Sequence, residues 1–340
     1  MRDIHQKYSR WFFTVAILLL VLLASVVLSL SSGEFSLGFT DVFKLLFSGS
    51  DSMEYTILSQ IRIPRVVLGI AIGGALSLAG VLLQGVYRNP LVEPYTLGIS
   101  GGASLGVAFA IVFGLHRLMG SLVLPAAGFA GAFLTIFIVY MISLRSGRIN
   151  IYTMLLSGVM ISFIASSSMM LLMATTSSEN LHGIIFWIMG SLDEPDSSLI
   201  MLSLILAVTM LLLSYLFVQP LNALRLGEEK ARYLGIDTDT AIKLLFLMAS
   251  LLAGTSVAVA GVIGFVGLII PHIVRLIVGP DYRILLVGSF LAGSIFLVLS
   301  DLIARTIIAP NELPIGVITG IAGGIAFLLM MGHKTLRIKN

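Results

Sequence analysis

The chain has no cysteine, which excludes disulfides, thiolate metal sites and cysteine nucleophiles together. Charge is nearly as scarce. Asp, Glu, Lys and Arg make up 11% of the 340 residues, against about 25% in an ordinary soluble domain. No basic run is long enough to read as a nucleic-acid patch. The phosphate loop G-x-x-x-x-G-K-[ST] is missing, so the chain does not hydrolyse ATP by that route, and H-E-x-x-H does not occur. The histidines (His5, His116, His182, His272, His333) show no ligand spacing. No catalytic constellation, metal site or cofactor is expected.

What fills the chain instead is apolar: 58% of it is hydrophobic. A soluble protein of that composition could not cover its own surface, so the expected solvent is lipid. Nine stretches of 17 residues or more carry no Asp, Glu, Lys or Arg: 11–33, 66–87, 94–116, 118–144, 149–178, 197–224, 244–274, 284–300 and 313–333. About 20 apolar residues span a bilayer as a helix, and unpaired backbone in lipid leaves only helices for such segments.

The run from Leu244 is too long for one span. Interrupted only by Arg275 it reaches Gly279, which as a single helix would measure about 54 Å. Gly261 and Gly264 could supply a turn. Cytoplasmic loops are enriched in Lys and Arg, and with the run split and the N-terminus inside, fifteen of these residues lie inside against five outside. Unsplit, the count falls to eleven against nine. The expected fold is therefore all-α and polytopic, about ten transmembrane helices in one domain over 1–340, both termini cytoplasmic. The first helix is read as an uncleaved span rather than a signal peptide, with Trp11 at the cytoplasmic interface.

Glycines four apart recur inside the spans, as at Gly69 and Gly73, Gly98, Gly102 and Gly106, and Gly316, Gly320 and Gly324. In lipid such spacing lets helix backbones approach closely. Charge at mid-span is sparse, which argues against a proton-coupled secondary transporter, and helices interrupted at the midplane are only weakly indicated. Asp301 and Arg305, four apart near the outer end of a span, can pair on one face.

Two loops stand out. The longest cytoplasmic connection, about Gln219 to Lys243, contains a short helix over Glu228–Leu234. Glu228 and Glu229 sit at its positive end, Arg232 near its negative end, and Gly235 just past it as a C-cap. Ala231 and Leu234 are expected on one face. Such a helix suits a groove on a partner as well as an ordinary surface position. On the outside, Arg62-Ile63-Pro64-Arg65 is expected to open the second helix, with Pro64 in its first turn. These outward arginines either pair with local acidic residues or meet an acidic partner.

The segments 61–106, 226–236, 264–283 and 300–329 together resemble the permease subunits of iron-siderophore, haem and vitamin B12 ABC importers, the type II importer fold. The resemblance covers essentially the whole chain. It implies a homodimer in the inner membrane with two cytoplasmic ATPase subunits, a delivering solute-binding protein outside, and an iron(III) chelate as cargo. Cobalamin, haem and molybdate or tungstate are the alternative cargoes. It implies ATPase coupling by Leu226, Gly227, Glu228, Glu229, Ala231, Arg232, Leu234 and Gly235. Binding-protein docking would fall to Arg62, Arg65 and Arg305, with the Asp301 pair as the competing role of Arg305. The pore would be lined by about 154–190, where Ser166, Ser167, Met169, Met170 and Met173 offer hydroxyls and flexible thioethers. The segment 186–196 resembles the external helix and loop that close the family's outer mouth.

Overall fold

The computed structural model describes residues 2–33, 38, 40, 42, 44–45, 52–120, 122–145, 148–194 and 196–337. Lys339, counted above among the cytoplasmic charges, lies outside them, as do the side chains of Arg2, His5, Arg145, Arg148, His333, Lys334 and Arg337. In chain order the helices are α1 (Arg2–Ser31), α2 (Met53–Tyr87), α3 (Ile99–Val112), α4 (Leu115–Met119), α5 (Val123–Ser143) and α6 (Ile151–Thr175). They continue with α7 (Ser178–Met189), α8 (Ser197–Leu224), α9 (Glu228–Tyr233), α10 (Thr238–Ala260), α11 (Val266–Val278), α12 (Tyr282–Thr306) and α13 (Ile315–Arg337). A two-residue antiparallel pair, Leu144–Arg145 with Arg148–Ile149, tightens the turn between α5 and α6.

Among the described residues, seven helices (α1, α2, α5, α6, α8, α10 and α12) are long and apolar enough to cross a membrane, and α3, α11 and α13 are shorter apolar helices. Together they make the ten segments that the charge-free runs predict. The long run from Leu244 splits where expected: α10 stops at Ala260, Gly261 takes a positive φ, and α11 starts at Val266. At the other end of α10, helix begins at Thr238, and α8 runs on to Leu224. The polar connection is thus narrower than 219–243, since both flanks propagate helix beyond the apolar core.

α2 is the axis of the fold. It packs against α8, α10, α11 and α12, while α3, α5 and α6 form a second group joined to it through the contact of α10 with α5. Close approach is made by glycine, as anticipated at Gly73: a Cβ there would run into the carbonyl of Gly293 on α12. With little hydrophobic drive between helices in lipid, such backbone contact lets dispersion do the holding. Gly320 and Gly324, by contrast, face open space, and of the glycines spaced by four on α13 only Gly316 lies close to another segment, against the carbonyls of Met189 and Val262.

The start of α2 differs from the expectation. Helix begins at Met53, capped by the Ser52 hydroxyl accepting from the Tyr55 amide at 3.2 Å, and Pro64 lies inside it. Proline has no N–H and crowds the carbonyl four residues back. The preceding turn, Ile57–Arg62, is a wide π-type turn in which the Ile63 amide donates to Leu58, so that crowding is relieved without ending the helix.

The Gly73 contact predicts a large steric penalty. Gly73→Val should lower the thermal unfolding midpoint of the detergent-purified chain by the equivalent of about 1–3 kcal/mol or more. Gly324→Ala should leave it unchanged or slightly raised. Equal effects of the two would mean that the α2–α12 approach is not tight.

Candidate coupling surface and translocation path

The connection between α8 and α10 is built from local rules. Gly227, at φ 108°, opens α9, with Glu228 and Glu229 in its first turn, where the helix dipole favours them. Gly235, at φ 81°, closes it. Its amide donates to Arg232 O at 2.9 Å and that of Ile236 to Ala231 O at 3.1 Å, the two bonds of a Schellman cap. Arg232 is exposed at the surface and also tied within the chain. Its guanidinium bonds Glu228 at 2.8 Å, Asp239 at 3.1 Å and the Thr238 hydroxyl at 2.8 Å, fastening α9 to the start of α10. Just before α10, bonds from the Thr240 hydroxyl and amide hold the Asp237 carboxylate below the usual carboxylate range.

Ala231 and Leu234 do not share a face. Ala231 is fully buried, whereas Leu234 is 63% exposed, because as the C-cap it has left helical geometry. The exposed surface includes Leu226, Glu229, Lys230, Arg232, Tyr233 and Leu234, an apolar patch with charges beside it. Behind it an open groove of about 300 Å³ runs between Glu228, the α2 end at Tyr87 and Arg88, and the α6 start at Ile151, Tyr152 and Leu155.

At the opposite end of the bundle the three arginines are buried within the chain, at 3%, 7% and 8% exposure for Arg62, Arg65 and Arg305. Arg62 donates to the Leu30 carbonyl at 2.6 Å. Arg65 bonds Glu312 at 2.9 and 3.1 Å and Asp301 at 3.3 Å. Arg305 bonds Asp301 at 2.9 Å and the Ser29 hydroxyl at 2.8 Å. This corrects the expectation of outward-presented guanidinium groups: a charge at a span end is stabilised by the nearest carboxylate and carbonyls, and here the chain supplies them. Glu312 is the half-exposed member, its side chain at 49%.

On α6, Ser167 and Met170 are exposed, Ser166 is half-buried, and Met169 and Met173 pack beneath α7 with Val107, Ala108, Ile111 and Ile184. The five named positions therefore do not form one lining. α6 instead carries a bare apolar face through Leu156, Phe163, Ile164, Met170 and Leu171.

One cluster went unread in the sequence. The connection after α2 does not stay at the surface: Pro94 lies against Gly267, which in turn lies against Gly80, seven residues inside α2, about 10 Å along it. There Glu93 accepts from the Phe265 amide at 2.6 Å and the Tyr95 hydroxyl accepts from Ile263 at 3.2 Å. Gln84 donates to Gly267 and Leu268, and accepts from Arg275 at 3.0 Å. Phe265 itself holds a left-handed φ of 69°, a conformation that costs a non-glycine residue of the order of 1–3 kcal/mol. The available signal was an isolated carboxylate among Val92, Pro94 and Tyr95.

The FecCD transport family matches residues 19–333. The chain belongs to that family. It is 37% identical over 316 residues to the hemin transport system permease protein HmuU of Yersinia pestis, covering 92% of this chain and 93% of that one. To the vitamin B12 import system permease protein BtuC of Salmonella typhi it is 37% identical over 334 residues, covering 97% of each. Among solved structures it superposes with TM-score 0.83 and 30% identity on an inward-facing ABC transporter assigned to the metal-chelate type, covering 94% of this chain and 98% of that one. The type II importer permease fold follows, and with it a membrane permease of FecCD type rather than a catalytic subunit.

For this FecCD permease the buried arginine cluster makes a prediction that needs no partner. Asp301→Asn leaves Arg305 with no carboxylate partner and Arg65 with Glu312 alone, so it should destabilise the isolated chain by about 3–5 kcal/mol. Glu312→Gln, at the exposed end, should cost less than about 1 kcal/mol. The check is thermal unfolding in detergent, and an Asp301→Asn midpoint at the wild-type value would remove the structural role assigned here to the cluster.

Proposed function

We propose that two copies of this chain form the membrane pathway of an inner-membrane ABC importer for a metal chelate. Two cytoplasmic ATPase subunits would drive it, and a solute-binding protein would deliver the cargo from outside. Family membership supports the class. The observation that carries the mechanism is α9: a short helix fixed at both ends, buried at Ala231, pinned by Arg232, and showing Leu226, Tyr233 and Leu234 to solvent. Closure of the ATPase pair would act on a rigid element of this kind, which passes displacement on instead of absorbing it. Glu229 is the exposed polar contact without an ion pair inside the element, while Glu228 and the exposed Arg232 also pair with each other.

The cargo is proposed as an iron(III) siderophore. Haem and cobalamin are the rivals favoured by the names of the relatives from Yersinia pestis and Salmonella typhi. The bare face of α6 supports a second copy as its cover, with the pathway between the two. Outside, the half-exposed Glu312 and its loop, rather than the buried arginines, form the accessible surface for a binding protein.

Two experiments test this reading. Co-expression with the neighbouring ATPase, tagging one partner only, should recover a complex that Glu229→Arg weakens and Gly235→Pro abolishes, since proline cannot adopt φ 81°. Recovery of an intact complex with both variants would sink the coupling assignment, and uptake of labelled siderophore, haem and cobalamin by the reconstituted complex would then separate the cargoes. Because the chain lacks cysteine, single cysteines at 160, 163, 167 and 170 can be read against a silent background. At least one should cross-link copy to copy, while Phe133→Cys on the exposed face of α5 should not; cross-linking through α5 alone would overturn the proposed interface.

A further inference from the structure

Beside the N-terminal part of α1, an open groove of about 480 Å³ lies between Gln6, Lys7, Arg10, Trp11 and Thr14 on one wall and the 276–279 turn that ends α11 on the other. That volume is within the usual range for small-molecule sites, about 300–1,000 Å³. The α1 wall is fixed in place. Lys7 is bonded to Asp281 at 3.0 Å and stacked 4.6 Å over the Trp11 ring, and Arg283 donates to the Tyr8 hydroxyl at 3.1 Å. Burial alone would raise the Asp281 carboxyl, but bonds from Lys7, the Arg283 amide and Asn222 hold it below the usual carboxylate range. Lys7 is therefore neutralised. Arg10, exposed and without an acidic partner among the described residues, brings the unspent positive charge.

The opposite wall has the complementary chemistry. A helix end leaves carbonyls without intrahelical donors, and Pro280 has no N–H to return to Leu276. The amide of Gly279 goes to Arg275 and that of Tyr282 to Asn222. The groove thus sets a guanidinium against carbonyl acceptors, a pairing for a ligand that carries an anion and hydrogen-bond donors together. Along α1 the same stripe changes character. Gln6, Arg10 and Thr14 are succeeded at helical spacing by Ile17 and Val21, which are exposed, and Leu276 and Ile277 are exposed across from them. A polar end continuing into an apolar stripe at the cytoplasmic end of a spanning helix has the profile of a lipid.

We propose that this groove binds one phospholipid, its phosphate on Arg10 and its headgroup hydroxyl or ammonium donors on the carbonyls of 276–278, as phosphatidylglycerol or phosphatidylethanolamine would supply. The test is native mass spectrometry of the full chain released from nanodiscs of equal parts phosphatidylglycerol, phosphatidylethanolamine and phosphatidylcholine. The first two should be retained over phosphatidylcholine, which has the same phosphate and no donor. Arg10→Ala should cut the retained phosphatidylglycerol about fivefold, the worth of one basic residue at an anionic surface, and Arg10→Lys should keep most of it. Equal retention of all three lipids, or an Arg10→Ala profile like wild type, would overturn the site. Loss of the lipid on adding 10 mM inorganic phosphate would overturn it in favour of a free-phosphate site.

Discussion

Backbone polar groups inside a bilayer have no water to turn to, and the fold is organised around the one place where that demand is hardest to meet. Between α10 and α11 the chain runs unhelical from Gly261 to Phe265 inside the bundle. Two other segments meet its polar groups and those of its flank. Ala260 O receives the Ser191 amide at 2.9 Å, Ile263 donates to Tyr95 and Phe265 to Glu93. Gly190, beside Ser191, accepts from Ile315 at the start of α13. The break therefore joins the end of α7, the start of α13 and the infolded connection after α2. A charge-assisted bond to a group such as Glu93 contributes about 1.5–3 kcal/mol, comparable to the strain at Phe265 that it offsets.

That arrangement separates what was legible in the sequence from what was not. The break at Gly261 could be read, because a run too long for one span and a charge count both required it. α9 could be read because everything that forms it lies within a dozen residues: two acidic residues at one end, an arginine near the other, a glycine just beyond. The local grammar failed only at Leu234, one residue past the helix, where cap geometry rather than helical periodicity sets the direction of the side chain.

The Asp301–Arg305 pair, four residues apart, was legible; the partners of Arg65 and the infolded loop were not, for a common reason. Asp301 lies 236 residues from Arg65 and Glu312 lies 247 from it; Phe265 lies 172 from Glu93. No window of sequence contains both partners. Charges at span ends looked outward because nothing nearby in sequence neutralised them, and the interrupted segments looked weak because one of the two is a loop that reads as surface. The pore residues failed differently. The family resemblance put Ser166, Ser167, Met169, Met170 and Met173 in one segment, but gave no face of the helix, and Met169 and Met173 pack against residues of α3 and α7.

The distribution of burial bears on how such a permease can move. The most apolar window of α2 is 89% buried, and those of α10 and α12 are 67% buried. Those of α5, α6 and α8 are 22%, 11% and 22% buried. Shifting α2 would break glycine-to-backbone contacts and the hydrogen bonds around Gln84 all at once, so it behaves as a fixed frame. α6 is held mainly along one side, by α3, α5 and the 94–97 turn against Gly158, with the end of α7 above it, and its cytoplasmic end borders the groove that Glu228 of α9 also lines. A push on α9 thus meets rigid frame at the end of α2 and a loosely held helix at the start of α6. Displacement follows the weaker constraint, and that is the helix whose bare face borders the proposed pathway.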